Sequence, residues 1–223
     1  MMLTSDHRYR DRLRNLAILL WAFVGLMYVA MAIPALQEWL QTIDDQFYSW
    51  AVDGESSPLV TVAKALSFIG SFNVMLPLIL VIAGYLFWRK WIPSTWFWVL
   101  ALAVSELIVW ITKVLYARPR PPDGLVSTQS YSFPSGHADT AATVALGIVV
   151  LLALRGRKHW YIDVLAVVYV LAIAWSRVYL RAHWFSDVLT GAAIGTSVVL
   201  TAVLVITMLN SRGRLPEWPW SRS

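Results

Sequence analysis

Six runs of consecutive apolar residues, punctuated by proline, arginine or lysine, decide what this chain can become. About 20 apolar residues in a helix cross the hydrocarbon core of a bilayer, and lipid offers no partner to a bare N–H or C=O. Each run must therefore be a helix. The expected spans are 16–33, 59–88, 93–116, 137–154, 160–180 and 184–208, the second interrupted near Gly70. Apolar residues make up 58% of the 223 and charged residues 14%, too little polar surface for a soluble globule. The expectation is an all-α polytopic membrane protein, one domain over 1–223, with six transmembrane helices in a single bundle.

Between the first two spans lies a loop with Glu38, Asp44, Asp45, Asp53 and Glu55. Its centre, 37–52, spaces Trp39, Leu40, Ile43, Phe47 and Trp50 as a helical stripe, which predicts a short helix in the membrane interface. Pro34 ends the first span, and Ser57 is read as the cap of the helix that Pro58 begins. The arginine-rich start followed by an apolar run raises the question of a secretion signal. The run is long for a signal core and lacks a small-x-small cleavage site, so an uncleaved first span is expected.

Basic residues orient the bundle. Arg8 to Arg14, Arg89, Lys90, Arg155, Arg157, Lys158, Arg212, Arg214 and Arg222 gather at one set of ends, which predicts both termini in the cytoplasm. The net charge of +5 has its explanation there and not in nucleic acid. Tryptophans at the span borders, Trp88, Trp91, Trp96 and Trp160 on one side and Trp39, Trp50 and Trp184 on the other, fit an aromatic belt. No cysteine is present, which excludes a disulfide framework, a thiol nucleophile and a thiolate metal site.

Three polar clusters fall at the other set of ends, predicted to face outside. They are residues 113–121 (KVLYARPRP), 133–139 (FPSGHAD) and 176–187 (SRVYLRAHWFSD). His183 and Asp187 stand four apart, on one face of a helix, so the carboxylate can hold one ring nitrogen as N–H and free the other. Ser135 and Gly136 open a helix after Pro134, where unpaired N–H groups favour an anion and glycine permits close approach. Lys113, Arg120 and Arg177 add fixed positive charge. Together these groups suit phosphoryl transfer: cations on the phosphoryl oxygens, His183 attacking in line, and His137 protonating the leaving group and then activating water.

The set Lys113-x6-Arg120-Pro121, Pro134-Ser135-Gly136-His137 and Ser176-Arg177-x5-His183-x3-Asp187 resembles the three-part signature of the type-2 phosphatidic acid phosphatases. That superfamily also holds the soluble vanadium haloperoxidases. The resemblance covers 113–187 and fills every defining position. It implies that His183 is the nucleophile, His137 the general acid and Asp187 the group that orients His183. It implies that Lys113, Arg120, Ser135, Gly136 and Arg177 bind phosphate, and that no divalent metal or other cofactor takes part. The layout is similar to bacterial members of the plasma membrane, whose substrates would be a polyprenyl diphosphate such as the undecaprenyl carrier, phosphatidic acid or phosphatidylglycerol phosphate. Rival readings are a lipid phosphotransferase with the same nucleophile, an anionic-lipid transporter, and a His/His/Asp metal site, which the dense basic surroundings disfavour. Partners beyond a lipid phosphate and the membrane are not indicated, and oligomeric state is unreadable.

Structural readings stand beside these. His159 is expected at the interface, and Arg118, Arg181 and Asp123 in solvent or among headgroups. Asp139 is expected to favour the first turn of its helix. Glu106, an intramembrane carboxylate, is expected to position Lys113 or a neighbouring helix.

Overall fold

The structure, a computed structural model, describes residues 7–157 and 159–211. Lys158, Arg212, Arg214 and Arg222, part of the basis for the orientation, lie outside the described residues, as does the side chain of Arg8. Among the described residues the chain is helical with no strand: α1 (His7–Ala32), α2 (Pro34–Asp53), α3 (Ser57–Ile69), α4 (Phe72–Trp88), α5 (Ile92–Tyr116), α6 (Gly136–Ala153), α7 (Trp160–Tyr179) and α8 (Phe185–Ser211). Six stretches are long and apolar enough to cross a membrane, with α3 and α4 sharing one of them. The break near Gly70 is real: Gly70 closes α3 and Ser71 opens α4.

Local sequence sets the boundaries. Proline sits in the first turn of α2, α3 and α5, where its missing N–H costs nothing. The interfacial helix is longer than its apolar stripe, because Pro34 starts α2 directly after α1 and Gly54 stops it. Ser57 is not the cap of α3. Ser56 holds that position, without a side-chain bond, and Ser57 is already helical. At α5 the chain leaves the helix through Ala117, in the left-handed region at φ 44°.

The centre of the bundle is the pair α6 and α8, with α5 and α7 flanking α6 and α1 packed along α8. Apolar burial does not drive helices together in lipid, so close backbone approach and polar bonds must do it. Gly191 and Gly195 permit that approach. A Cβ at Gly191 would stand 2.3 Å from the Ser135 carbonyl oxygen, and one at Gly195 would stand 2.5 Å from that of Asp139. The apolar core below is built on Trp98, Phe97, Leu102, Val144, Ile194 and Val199. Trp98 is enclosed and donates its indole N–H to the Ile79 carbonyl at 3.0 Å. Leu19, Leu80, Leu115 and Leu165 stay exposed on the perimeter, as lipid-facing residues do.

Trp88, Trp96, Trp160, Trp39 and Trp50 lie exposed at the borders, as a belt requires. Trp184 does not belong to it. It is buried, donates to the Pro119 carbonyl at 2.9 Å and lies under the Arg118 guanidinium.

Candidate active site

All three clusters meet at one end of the bundle, here the motif end. The α5–α6 loop is laced to the α7–α8 turn through backbone bonds. Leu125 donates to Leu180 and Ser135 to Asp187, each at 3.0 Å, while Ser132 donates to Arg118 within the loop. This lacing brings segments some fifty or more residues apart into one cluster.

His183 is 3% exposed and Asp187 fully buried. The ring Nδ1 lies 3.4 Å from Asp187 Oδ2, near enough for charge to act but without hydrogen-bond geometry. On the other side, Arg120 Nη1 lies 3.2 Å from Nε2. A guanidinium can only donate, so Nε2 is the accepting nitrogen and the neutral ring carries its proton on Nδ1, facing Asp187. Burial, then the charges of Arg120, Arg177 and Lys113 and the nearby His137, hold the His183 pKa well below the usual histidine value. Its Nε2 lone pair is therefore available through the neutral range.

Asp187 is held from several directions. Ser132 Oγ and the Trp184 N–H donate to Oδ2, the latter at 2.9 Å, and Arg118 donates to Oδ1 at 2.8 Å. Arg120 is fixed by the Ser130, Tyr131 and Ala182 carbonyls, and burial lowers its pKa. Lys113 donates to the Tyr131 and Ser132 carbonyls, at 2.6 and 3.3 Å. Arg177 is buried at the end of α7, bonded to Ser67 of α3 through Nη1, while its Nε–H has no partner among the described residues. His137 is half-buried in the first turn of α6 and lies within the electrostatic reach of Arg177, Arg120 and Lys113.

Ser135 caps α6, its hydroxyl 3.5 Å from the Ala138 N–H, and Gly136 is the first helical residue. An oxygen that accepts a cap still carries an O–H to donate. Asp139 was expected to serve the first turn of this helix. It lies in that turn, and its carboxylate also reaches sideways to α5, where Ser105 donates to Oδ1 at 2.5 Å. Glu106 is exposed and accepts from Thr140 of α6 at 2.5 Å, a single hydrogen bond between α5 and α6.

Two arginines depart from expectation. Arg181 is buried, bonded to Glu55 at 2.7 Å and to the Asp123 carbonyl, while Asp123 itself is exposed. Arg118 is 2% exposed and lies between Asp187 and Asp44, at 2.8 and 2.7 Å. Neither guanidinium is solvated, because each finds a carboxylate from the acidic segment between the first two spans. Asp44 was not singled out from the sequence, and nothing in its spacing marks it.

Comparison with known proteins identifies the family. The model of the PAP2 superfamily matches residues 94–211. Phosphatidylglycerophosphatase B of Bacillus subtilis is 32% identical over 179 residues, covering 76% of this chain and 86% of that protein. An undecaprenyl-diphosphatase of Sulfolobus acidocaldarius is 28% identical over 48% of this chain and 52% of its own length. The crystal structure of a transmembrane PAP2 type phosphatidylglycerolphosphate phosphatase from Bacillus subtilis superposes with a TM-score of 0.70 at 27% identity, covering 88% of this chain and 96% of that one. A six-span helical bundle with its three-part signature gathered at one end, matched over more than half its length, leaves one assignment: the chain belongs to the PAP2 superfamily, as an integral membrane phosphatase.

Proposed function

We propose that the chain hydrolyses the terminal phosphate of a membrane lipid monophosphate or diphosphate through a phosphohistidine at His183. The observation that carries this reading is the set of contacts around His183: Arg120 on Nε2 and Asp187 behind Nδ1. Arg120 stands where an incoming phosphoryl group would sit, and a dianion there would draw its N–H groups away from Nε2. Lys113, Arg120, Arg177, the Ser135 hydroxyl and the Gly136 N–H then spread over the phosphoryl oxygens, and the fixed charge needs no reorganisation as the transition state forms. His183 attacks phosphorus in line. His137 protonates the departing alkoxide or phosphate, then takes a proton from the water that releases inorganic phosphate.

The site faces outside in this reading, with both termini in the cytoplasm of a bacterial plasma membrane. Arg10, Arg12, Arg14, Arg89, Lys90, Arg155 and Arg157 at the opposite end support it. The lipid tail stays in the bilayer while the headgroup enters sideways. The B. subtilis relative, matched over most of its length, favours a glycerophospholipid phosphate, and the Sulfolobus relative keeps a polyprenyl diphosphate in view.

The test is a panel of purified lipid phosphates compared by kcat/KM, with His183→Ala alongside and with chelator present. Phosphate release that collapses in the variant and persists in chelator is expected. Release that survives the substitution would overturn the reading, and loss in chelator would move the chemistry to a metal.

A further inference from the structure

Asp44 is a carboxylate with 1% exposure on a helix that lies outside the signature altogether. Its Oδ1 accepts from the Ser186 N–H at 2.8 Å. Its Oδ2 accepts from Ser186 Oγ at 2.6 Å and from Arg118 Nη2 at 2.7 Å. Arg118 turns its other nitrogen to Asp187 Oδ1 and Ser186 Oγ, both at 2.8 Å, and also bonds Gln41 of α2. Asp44, Arg181 and His183 line the same crevice.

We infer that Asp44 is a positioning residue of the phosphatase reaction, acting through Arg118 to leave Asp187 free to balance charge on His183. The inference rests on the reading of His183 as nucleophile. A neutral ring protonated on Nδ1 gains a full positive charge when Nε2 bonds phosphorus. The P–O bond to the leaving group breaks in that step, its electron pair departs with the oxygen, and His137 supplies the proton. The other groups that act on His183 among the described residues work against that charge: Lys113 from α5, Arg120 from the loop, His137 from α6 and Arg177 from α7. Asp187 is the carboxylate that opposes them, yet it is paired with Arg118.

The charges bonded through Arg118 decide the matter. Arg118 with Asp187 alone sums to zero, and a ring turning cationic would meet no surplus anion. Asp44 adds the second carboxylate. It neutralises Arg118 from the far side, and the negative charge of Asp187 is left for the imidazole. Burial raises the Asp44 pKa, and the donors aimed at its two oxygens, Arg118 Nη2 and the Ser186 N–H and O–H, favour its ionised form. A tie between α2 and α8 alone would not need charge, since an amide at this position could accept the Ser186 N–H on its oxygen and donate its NH2 to Ser186 Oγ.

The experiment compares wild-type enzyme with Asp44→Asn, Asp44→Glu and Arg118→Gln, using a short-chain phosphatidic acid in detergent micelles. Histidine-labelled NMR follows the His183 ring, assigned by its loss in His183→Ala among only four histidines. Asp44→Asn is expected to lower kcat about 10-fold with KM nearly unchanged, because charge is lost only where the transition state needs it. The His183 pKa should fall by about one unit or leave the accessible acid range in Asp44→Asn, and rise by a similar amount in Arg118→Gln. Asp44→Glu should keep both values near wild type. Should Asp44→Asn fail to fold, the upward shift in Arg118→Gln and the retained pKa in Asp44→Glu decide. An unmoved His183 pKa across the variants, whether or not activity falls, would reduce Asp44 to a structural tie and overturn the inference. Full activity of His183→Ala would instead sink the nucleophile assignment.

Discussion

The two ends of the bundle solve the same problem, holding helices together in lipid, with opposite materials. At the motif end Arg118, Asp44, Asp187, His183, Arg177 and Arg181 are buried, and their partners are one another, Glu55, the Ser67 hydroxyl and loop carbonyls. Toward the far end the contacts are aromatic and aliphatic: Trp98 seats against Gly147, and Arg89 and Arg155 lie over the Trp91 ring. A buried ion pair gives little net stability, since desolvation cancels most of its attraction. The motif end therefore retains a costly arrangement that tight packing would replace at no loss, and chemistry is the reason to retain it.

Removing Trp98 should test the far end most severely. Trp98→Ala is expected to cost about 3–5 kcal/mol of stability, read by thermal unfolding in micelles, while the folded fraction keeps its kcat. A loss of kcat in molecules that remain folded would show that the two ends are not separable. Arg120→Ala probes the other side. Activity should fall about 10²–10³-fold with little change in unfolding temperature, as expected where a fixed donor meets developing charge. Comparable losses of stability and activity would erase the contrast.

Gly195 sits at the border between the two regions, so its replacement should damage both. Gly195→Ala places a methyl against the Asp139 carbonyl and Thr143 Oγ1 and is expected to cost about 1–3 kcal/mol. The α6 turn that carries His137 would shift with it, and kcat should fall together with melting temperature. Unchanged activity would mean that the α6–α8 spacing is not what places His137.

The smallest effect is linked to pH. The folded His183 pKa is depressed, so below the unfolded value of about 6.5 the unfolded chain binds a proton that the native chain refuses. Stability should decline as pH falls through that window, by at most about 1.4 kcal/mol per unit from this residue, and His183→Ala should flatten the decline. An equal slope in the variant would assign the acid sensitivity elsewhere.

The bundle itself was legible from the chain because lipid leaves few choices. Apolar length fixed six spans, and proline and glycine set some of their ends within a few residues, as at Pro34 and Gly70. The signature residues were legible as a set, since topology alone sends 113–121, 133–139 and 176–187 to one end. Arg118, Arg181 and Trp184 were misread for one shared reason. Their surroundings are made by α2 and the α2–α3 turn, through Asp44, Tyr48 and Glu55, and no periodicity announces which face of an amphipathic helix meets a loop seventy residues on. Asp44 and its neighbour Asp45 look alike in sequence, yet one is buried and the other exposed.

The central claim is that phosphate passes through His183. Mixing the enzyme with a lipid bearing a ³²P-labelled terminal phosphate, quenching in alkali within the first turnover and mapping the labelled peptide tests it most directly. The account predicts an acid-labile, alkali-stable phosphate on the peptide containing His183, absent from His183→Ala and accumulating in His137→Ala. Label on His137, or phosphate released with no labelled enzyme in any of the three, would contradict it.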